Sequence, residues 1–197
     1  MGQSYLKNAA LLTGADVLLR LAGMGLRIYL ANALGGEGMG LYQLVLAVYA
    51  LFVTLATAGV SVAATRLMAE ELARGRAQAR GMLVRLAGTG LLLGAAAMAA
   101  QYGLAGAAAR WWLGDVRAAG ALRVSAFGMP WMALSAVLRG FFIARRRVEP
   151  NVLSQLVEQS VRIGIIWYAL EWGSAQDVSA RCTAVLAATA VSEAVSA

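Results

Sequence analysis

Charged side chains recur at helical spacing inside two otherwise apolar stretches of the sequence. In the first stretch, one helical face consists of residues three or four positions apart, namely Thr13, Asp16, Arg20, Gly23 and Arg27. Asp16 and Arg20 stand one turn apart, which allows them to pair. Two arginines against one aspartate leave an excess positive charge, and a guanidinium offers fork-like donors to phosphate oxygens. The pattern predicts an anion-binding face.

A second stripe repeats this design further along the chain. Its polar residues are Asn151, Gln155, Glu158 and Arg162, with Gln159 beside them. Glu158 and Arg162 are again one turn apart. Each acid–arginine pair has two interpretations. It is either an internally neutralised structural pair or part of a functional site, which is the default for ionisable groups inside a membrane.

Composition places both stripes in an integral membrane protein. Of the 197 residues, 60% are hydrophobic and 14% are charged, whereas a globular chain carries about 25% charge. A single cysteine, Cys182, cannot form a disulfide within the chain, which excludes a disulfide-stapled scaffold. The absence of histidine removes the commonest metal ligand. We therefore expect no metal site, no cofactor and no catalytic residues.

Five stretches are long and apolar enough to span a bilayer, and a sixth begins before the sequence ends. They are predicted as helices one to six over residues 9–34, 41–65, 82–107, 122–143, 152–172 and 180–197. Alanine, leucine and glycine dominate these stretches and no alternation of period two occurs, which favours helices over strands. The expected fold is all-α and polytopic.

Arginine concentrates on one side of this arrangement. Arginine-rich connections alternate along the chain with less basic ones. The arginine-rich connections are the polar run between helices two and three and the triplet Arg145–Arg147. The positive-inside rule then places the N-terminus in the cytoplasm, at the cytoplasmic membrane. Four tryptophans fall at the predicted outer ends, as in an interfacial belt: Trp111, Trp112, Trp167 and Trp172. The net charge of +7 is thus interpreted as an orientation signal, and no nucleic-acid partner is expected.

Helices two and four carry further polar faces. Helix four has Ser125, Gly128, Ser135 and Arg139 on one side, and Pro130 is expected to kink it. Helix two has a stripe of hydroxyls, Thr54, Thr57, Ser61 and Thr65, for which hydrogen bonding between helices is the favoured interpretation. Together the faces predict a hydrated central cavity lined by helices one, two, four and five. The candidate substrate-binding residues are Asp16, Arg20, Arg27, Arg139, Glu158 and Arg162.

Glycine spacing makes two structural predictions. Gly90 and Gly94 in helix three form a GxxxG step, which indicates close helix packing. The run "GGEGMG" after helix one is predicted to be a tight turn, because glycine permits the backbone angles that a short connection needs. It has neither the preceding strand nor the following lysine of a phosphate-binding loop.

Two regions resemble a known family of transporters. They are "LRIYLANALGGEGMGLYQLVLAVYALFVTLATAGVSVAATRLMAEELARGR" and "ALSAVLRGFFIARRRVEPNVLSQLVEQSVRIGI". Both are similar to polysaccharide or lipid-linked oligosaccharide flippases of the stage V sporulation protein B type. These belong to the multidrug/oligosaccharidyl-lipid/polysaccharide exporter superfamily. The most specific pieces are Gly38–Tyr42, Leu138–Phe142 and Val157–Arg162.

The resemblance implies a fold and an activity. It implies two six-helix lobes around a central cavity, and alternating access that moves an undecaprenyl-pyrophosphate-linked saccharide across the cytoplasmic membrane. Arg20 and Arg27 are the residues whose position and type fit contact with the pyrophosphate. By this resemblance the chain corresponds to the first lobe, and a second lobe is expected from the same gene or a separate chain. No transport is expected from the polypeptide alone.

Two alternatives stay open. The first is a drug or cation antiporter of the same superfamily, although the excess of arginine argues against it. The second is a membrane-embedded structural or assembly partner without transport of its own. The expected partners are an anionic lipid-linked saccharide, membrane lipids and the second lobe. An enzyme is not expected, because no nucleophile stands beside a base.

Overall fold

The computed structural model describes the backbone of residues 2–57, 59–74, 76–145, 149–172 and 177–196, and most side chains from residue 13 to residue 195 within these ranges. Over these residues the chain is helical and contains no strand. The helices are α1 (Gly2–Thr57), α2 (Val60–Arg74), α3 (Arg76–Ala107), α4 (Ala118–Ala126), α5 (Met129–Ala144), α6 (Glu149–Glu171) and α7 (Val178–Ser196). A π-helical turn, Ala108–Trp112, extends α3.

Several helical segments of the described chain are long and apolar enough to cross a membrane. Three such segments are Thr13–Leu72, Arg80–Trp112 and Val178–Val195. A fourth forms if α4 and α5, which are bent by 41°, make one span. These segments overlap five of the six predicted spans, since the first runs over two. The predicted fifth span, α6, is not among them, because its polar stripe lowers its mean hydropathy. The chain is an all-α, multi-pass membrane protein, as predicted.

Helix α1 folds back on itself at Gly35, whose φ of 69° and ψ of 178° interrupt the helix. A straight helix would separate Gly23 from Tyr49 by about 39 Å. Instead, Gly23 lies beside Gln159 of α6, while Tyr49 bonds to Glu193 of the neighbouring α7. The turn predicted in "GGEGMG" is therefore a one-residue break. We call residues 2–34 the first leg and residues 36–57 the second leg.

The GxxxG step of α3 packs closely against α5, as predicted. A Cβ atom on Gly94 would lie 2.6 Å from the Cα of Pro130 and 2.9 Å from the carbonyl oxygen of Met129. A Cβ on Gly90 would lie 2.9 Å from a side-chain methyl of Val137. These distances are too short for any residue larger than glycine without movement of α5. The step fixes α5 against α3 at backbone contact.

One connection differs from its prediction, and one predicted kink is formed. The polar run between predicted helices two and three is helical where it is described, because α2 continues to Arg74 and α3 begins at Arg76. Alanine, leucine, glutamate and arginine dominate this run, and all four favour helix. Predicted helix four bends by 41° next to Pro130, as expected, and the bend divides it into α4 and α5. Pro130 occupies the first turn of α5, where its missing backbone donor costs nothing.

An apolar core joins the second leg to α4 and α7. Val45, Leu122, Val185 and Leu186 have at most 1% of their surface exposed. Large apolar side chains such as Leu55 and Leu92 lie on the outside of the molecule instead. That distribution suits a protein whose outer surface meets lipid, because lipid imposes no cost on exposed leucine.

A polar cavity between α1, α5, α6 and α7

A cavity of about 510 Å³ lies between both legs of α1 and the helices α5, α6 and α7. Its wall contains apolar residues of the first leg, such as Leu19 and Leu26, and a group of charged side chains. The charged lining residues are Arg27, Arg139, Glu158, Arg162 and Glu193. The cavity therefore brings together ionisable groups from four separate regions of the sequence.

Arg162 is the centre of a hydrogen-bond network on the α6 side. Its guanidinium forms an ion pair with Glu158 one turn away, and its Nη1 donates to the Oε1 of Gln159 at 3.4 Å. Its Nε donates to the hydroxyl of Ser192 on α7 at 3.3 Å. The side chains of Arg162 and Glu158 are 23% and 14% exposed. The predicted Glu158–Arg162 pair is thus formed within α6, and the bond from Arg162 to Ser192 ties α6 to α7.

Glu193 is a buried carboxylate that the sequence interpretation missed. It is 3% exposed, and the hydroxyl of Tyr49 on the second leg donates to its two oxygens at 2.8 and 3.0 Å. Gly128, at the break between α4 and α5, lies against the same carboxylate, and a Cβ there would collide with it. A lone acid in the apolar run of predicted helix six was the available signal.

Four of the six candidate residues line the cavity, and two do not. Arg27, Arg139, Glu158 and Arg162 are brought together. Asp16 and Arg20 lie outside the lining and are exposed.

The predicted pairing of Asp16 with Arg20 is not formed. Within the described side chains no salt bridge joins the two. Spacing placed both residues on one helical face, but the first leg contributes Leu19, Gly23, Leu26, Arg27 and Leu30 to the lining instead.

The hydroxyl stripe of predicted helix two has a different role from the one expected. Thr54, Thr57 and Thr65 donate to carbonyls four residues earlier in their own helices, at 2.7, 2.8 and 2.8 Å. The prediction of hydrogen bonds between helices is wrong for these three. Helix two faces the cavity through Tyr42, Leu46 and Tyr49 instead.

The remaining predicted polar residues lie in other places. Ser125 of α4 accepts a hydrogen bond from Gln101 of α3 at 2.9 Å, away from the cavity. Gln155 and Gln159 line the cavity beside Glu158. The side chain of Asn151 falls outside the described residues. The structure also adds α7 to the four helices that the sequence predicted around the cavity.

The charge of the cavity lining is positive. Three arginines face two glutamates among the described lining residues. An anionic partner with paired oxygens suits these arginines, since each guanidinium can donate two parallel hydrogen bonds. Among the described residues, no group of three or more histidine, cysteine or acidic side chains is close enough to hold a metal ion. The arrangement suits binding of a phosphate-like anion.

A second charged cluster lies near the Gly35 turn, with Asp115 and Arg117 in the connection between α3 and α4. Arg117 forms ion pairs with Glu37 at 2.7 Å and with Asp115 at 2.9 Å. Hydrogen bonds from Arg117 lower the pKa of Asp115 below its ordinary value. The same bonds raise the pKa of Arg117. The cluster connects the turn of α1 to the start of α4. Its three side chains meet solvent, so they do not enclose a space for a ligand.

Comparisons with known proteins match this chain over most of its length. A family described as "Polysaccharide biosynthesis protein" matches residues 5–197. The stage V sporulation protein B of Bacillus subtilis (strain 168) is 34% identical over 166 residues, which is 83% of this chain and 32% of that protein. The chain thus spans about a third of the length of the curated relative that it matches. No solved structure gives a significant match.

Proposed function

This chain belongs to the polysaccharide biosynthesis protein family, and on that premise we propose that it contributes to a flippase for lipid-linked saccharides. The proposed substrate is an undecaprenyl-pyrophosphate-linked saccharide, moved outward across the cytoplasmic membrane. The single observation that carries this proposal is the cavity in which three arginines outnumber two glutamates. A pyrophosphate supplies the anionic oxygens that such a lining binds best.

In the proposed mechanism, the arginines hold the charged head group while the lipid tail stays in the bilayer. Arg27 and Arg139 are the proposed contacts with the pyrophosphate, because Arg162 is already paired with Glu158. Movement of the helices around the cavity then exposes the head group to the other side. No covalent bond is made or broken, so the proposed activity is transport and not enzymatic catalysis.

We also propose the orientation and the partner that this mechanism requires. The N-terminus is placed in the cytoplasm by the positive-inside rule. A second helical lobe, from the same or a separate chain, faces the cavity and completes it. Membrane lipids surround the exposed apolar side chains of α1 and α3.

A cation antiporter is the second candidate, and the buried carboxylate of Glu193 is the observation that favours it. A cationic drug is attracted by carboxylates and repelled by arginines. The arginine excess of the lining therefore ranks this candidate below the flippase.

The test compares Arg27→Ala with Arg20→Ala in the longest natural form of the protein. Flipping of a lipid-linked saccharide is measured in proteoliposomes. We expect Arg27→Ala to lower the flipping rate at least tenfold, since loss of a charged hydrogen bond costs about 1.5–3 kcal/mol. Arg20→Ala is the matched control on the same helix and should flip at the wild-type rate. Equal rates for both variants would rule out the cavity as the pyrophosphate site.

A further inference from the structure

The carboxylate of Glu193 is placed where a single proton changes the charge of the whole cavity. Glu193 is 3% exposed but also belongs to the cavity lining, so it is enclosed by protein and reachable from the cavity. Tyr49 of the second leg is hydrogen-bonded to it, and Gly128 at the break between α4 and α5 also lies against its carboxylate.

The other charged and titratable groups of the cavity lining come from both legs of α1, from α5 and from α6. They are Tyr42 and Tyr49 on the second leg, Arg27 on the first leg, Arg139 on α5, and Glu158 and Arg162 on α6. With both glutamates ionised, the lining has three positive charges and two negative ones. A proton on Glu193 would leave three positive charges against one, which doubles the net positive charge.

The partner of Glu193 can accommodate both protonation states. The Tyr49 hydroxyl donates to the ionised carboxylate at 2.8 and 3.0 Å. A tyrosine hydroxyl is both a donor and an acceptor, so it can accept a hydrogen bond from the protonated acid after rotation of its O–H. Neither state leaves the Tyr49–Glu193 contact without a hydrogen bond. A site that satisfies both states can gain or lose a proton without losing its packing.

We propose that Glu193 is a proton-binding site linked to anion binding, so that protonation of Glu193 strengthens the hold of the cavity on a phosphate-like anion. The linkage is electrostatic, because a proton on Glu193 raises the net positive charge of the lining that attracts the anion. Because coupling between two binding sites is reciprocal, a bound anion also favours proton uptake by Glu193. The proposal rests on the proposed anion site and adds the residue and the sign through which pH controls it.

The experiment measures anion affinity against pH in the longest natural form of the protein, in detergent micelles. The probe is inorganic sulfate, whose charge stays constant between about pH 5 and pH 9, so any pH dependence belongs to the protein. We expect the wild-type affinity to rise roughly fivefold or more as the pH falls through the transition of Glu193. Glu193→Gln, which mimics the protonated acid, should keep the higher affinity across the whole range.

A matched control comes from a second tyrosine–glutamate pair in the same molecule. Tyr29 and Glu171 are joined by a hydrogen bond at 3.4 Å, but this pair is exposed and Glu171 does not line the cavity. Glu171→Gln should therefore keep the wild-type pH dependence.

Tyr49→Phe retains Glu193 and removes a donor to its ionised form, so the midpoint of the pH dependence should move to higher pH.

The outcomes separate this proposal from the proposed function. Equal pH dependence in the wild type and Glu193→Gln overturns the proton site. Should Glu193→Gln fail to fold, an unmoved midpoint in Tyr49→Phe overturns it instead. A pH-linked sulfate site in a protein that fails to flip lipid-linked saccharides supports the linkage and counts against the flippase alone.

Discussion

Two pairs of residues in this chain have the same chemistry and spacing but different surroundings. Asp16 and Arg20 on the first leg, like Glu158 and Arg162 on α6, are an acid followed by an arginine one turn later. The first two are exposed and make no salt bridge with each other, whereas the second two form an ion pair and are mostly enclosed. Spacing along a helix therefore predicts which side chains can meet, and the neighbouring helices determine which of them do.

The difference follows from what each pair touches. Arg162 also donates to Ser192 of α7 and to Gln159, so several bonds hold its side chain in one position. For Asp16 and Arg20, the described side chains show no hydrogen bond or ion pair that holds either group in place. A functional site is thus more credible around Arg162 than around Arg20.

In this comparison, we expect the largest change in unfolding free energy when the enclosed Glu158–Arg162 pair is broken. Arg162→Ala should destabilise the protein by about 2–4 kcal/mol, because it leaves a mostly enclosed Glu158 without this partner. The change is measured by reversible unfolding in mixed micelles. Arg20→Ala is the control and should cost less stability than Arg162→Ala, because Arg20 makes no salt bridge with Asp16. Similar losses for both variants would mean that the two pairs are energetically equivalent.

A smaller effect tests whether helix packing maintains the enclosure. Gly94→Ala would push against the backbone of Pro130 and Met129, so we expect a loss of about 1–3 kcal/mol in unfolding free energy. Movement of α5 would also displace Arg139 from the cavity. A thiol reagent should then modify the cysteine of a Met132→Cys variant faster. Gly88→Ala is the control, since no neighbouring atom lies within 4 Å of its Cβ position. A stable Gly94→Ala variant would show that α5 is not fixed by α3.

The smallest effect is expected at the solvent-exposed cluster of Arg117. The pKa of Asp115 is lowered in the folded state, so its contribution to stability is fully present above the ordinary value of 3.8. That contribution is lost as the pH falls through the lowered value. Asp115→Asn should slightly reduce thermal stability at neutral pH and should not reduce it under strongly acidic conditions. Thermal midpoints at the two pH values measure this, and an equal difference at both would refute it.

Much of the fold was predictable because membrane helices are determined by local sequence. Long apolar stretches must satisfy their backbone hydrogen bonds internally, which leaves helix as the available structure. The turn at Gly35 and the packing at Gly94 were also predicted, since both depend on the missing side chain of glycine. The continuation of α2 and the start of α3 were missed, because a polar composition was interpreted as a loop although its residues favour helix.

The candidate site was predicted in part. Arg27, Arg139, Glu158 and Arg162 were selected as polar residues within apolar helices, and they do meet in one cavity. Arg20 and Asp16 were selected by the same argument and do not. Glu193 was missed because its helix has no second acid at helical spacing, and its partner Tyr49 is 144 residues away in sequence. No periodicity within either helix connects the two.

The sequence alone determined the membrane class, the helices and the sites of closest packing, because apolarity, helix propensity and glycine act over a few neighbouring residues. It also determined that positive charge exceeds negative charge within the spans. Only the tertiary structure decided which charges share a cavity, since that depends on the rotation of each helix and on the fold-back of α1. Arg162 and Arg20 each follow an acid by one helical turn. Arg162 is held by α7, whereas Arg20 is exposed, because different neighbours pack against the two helices.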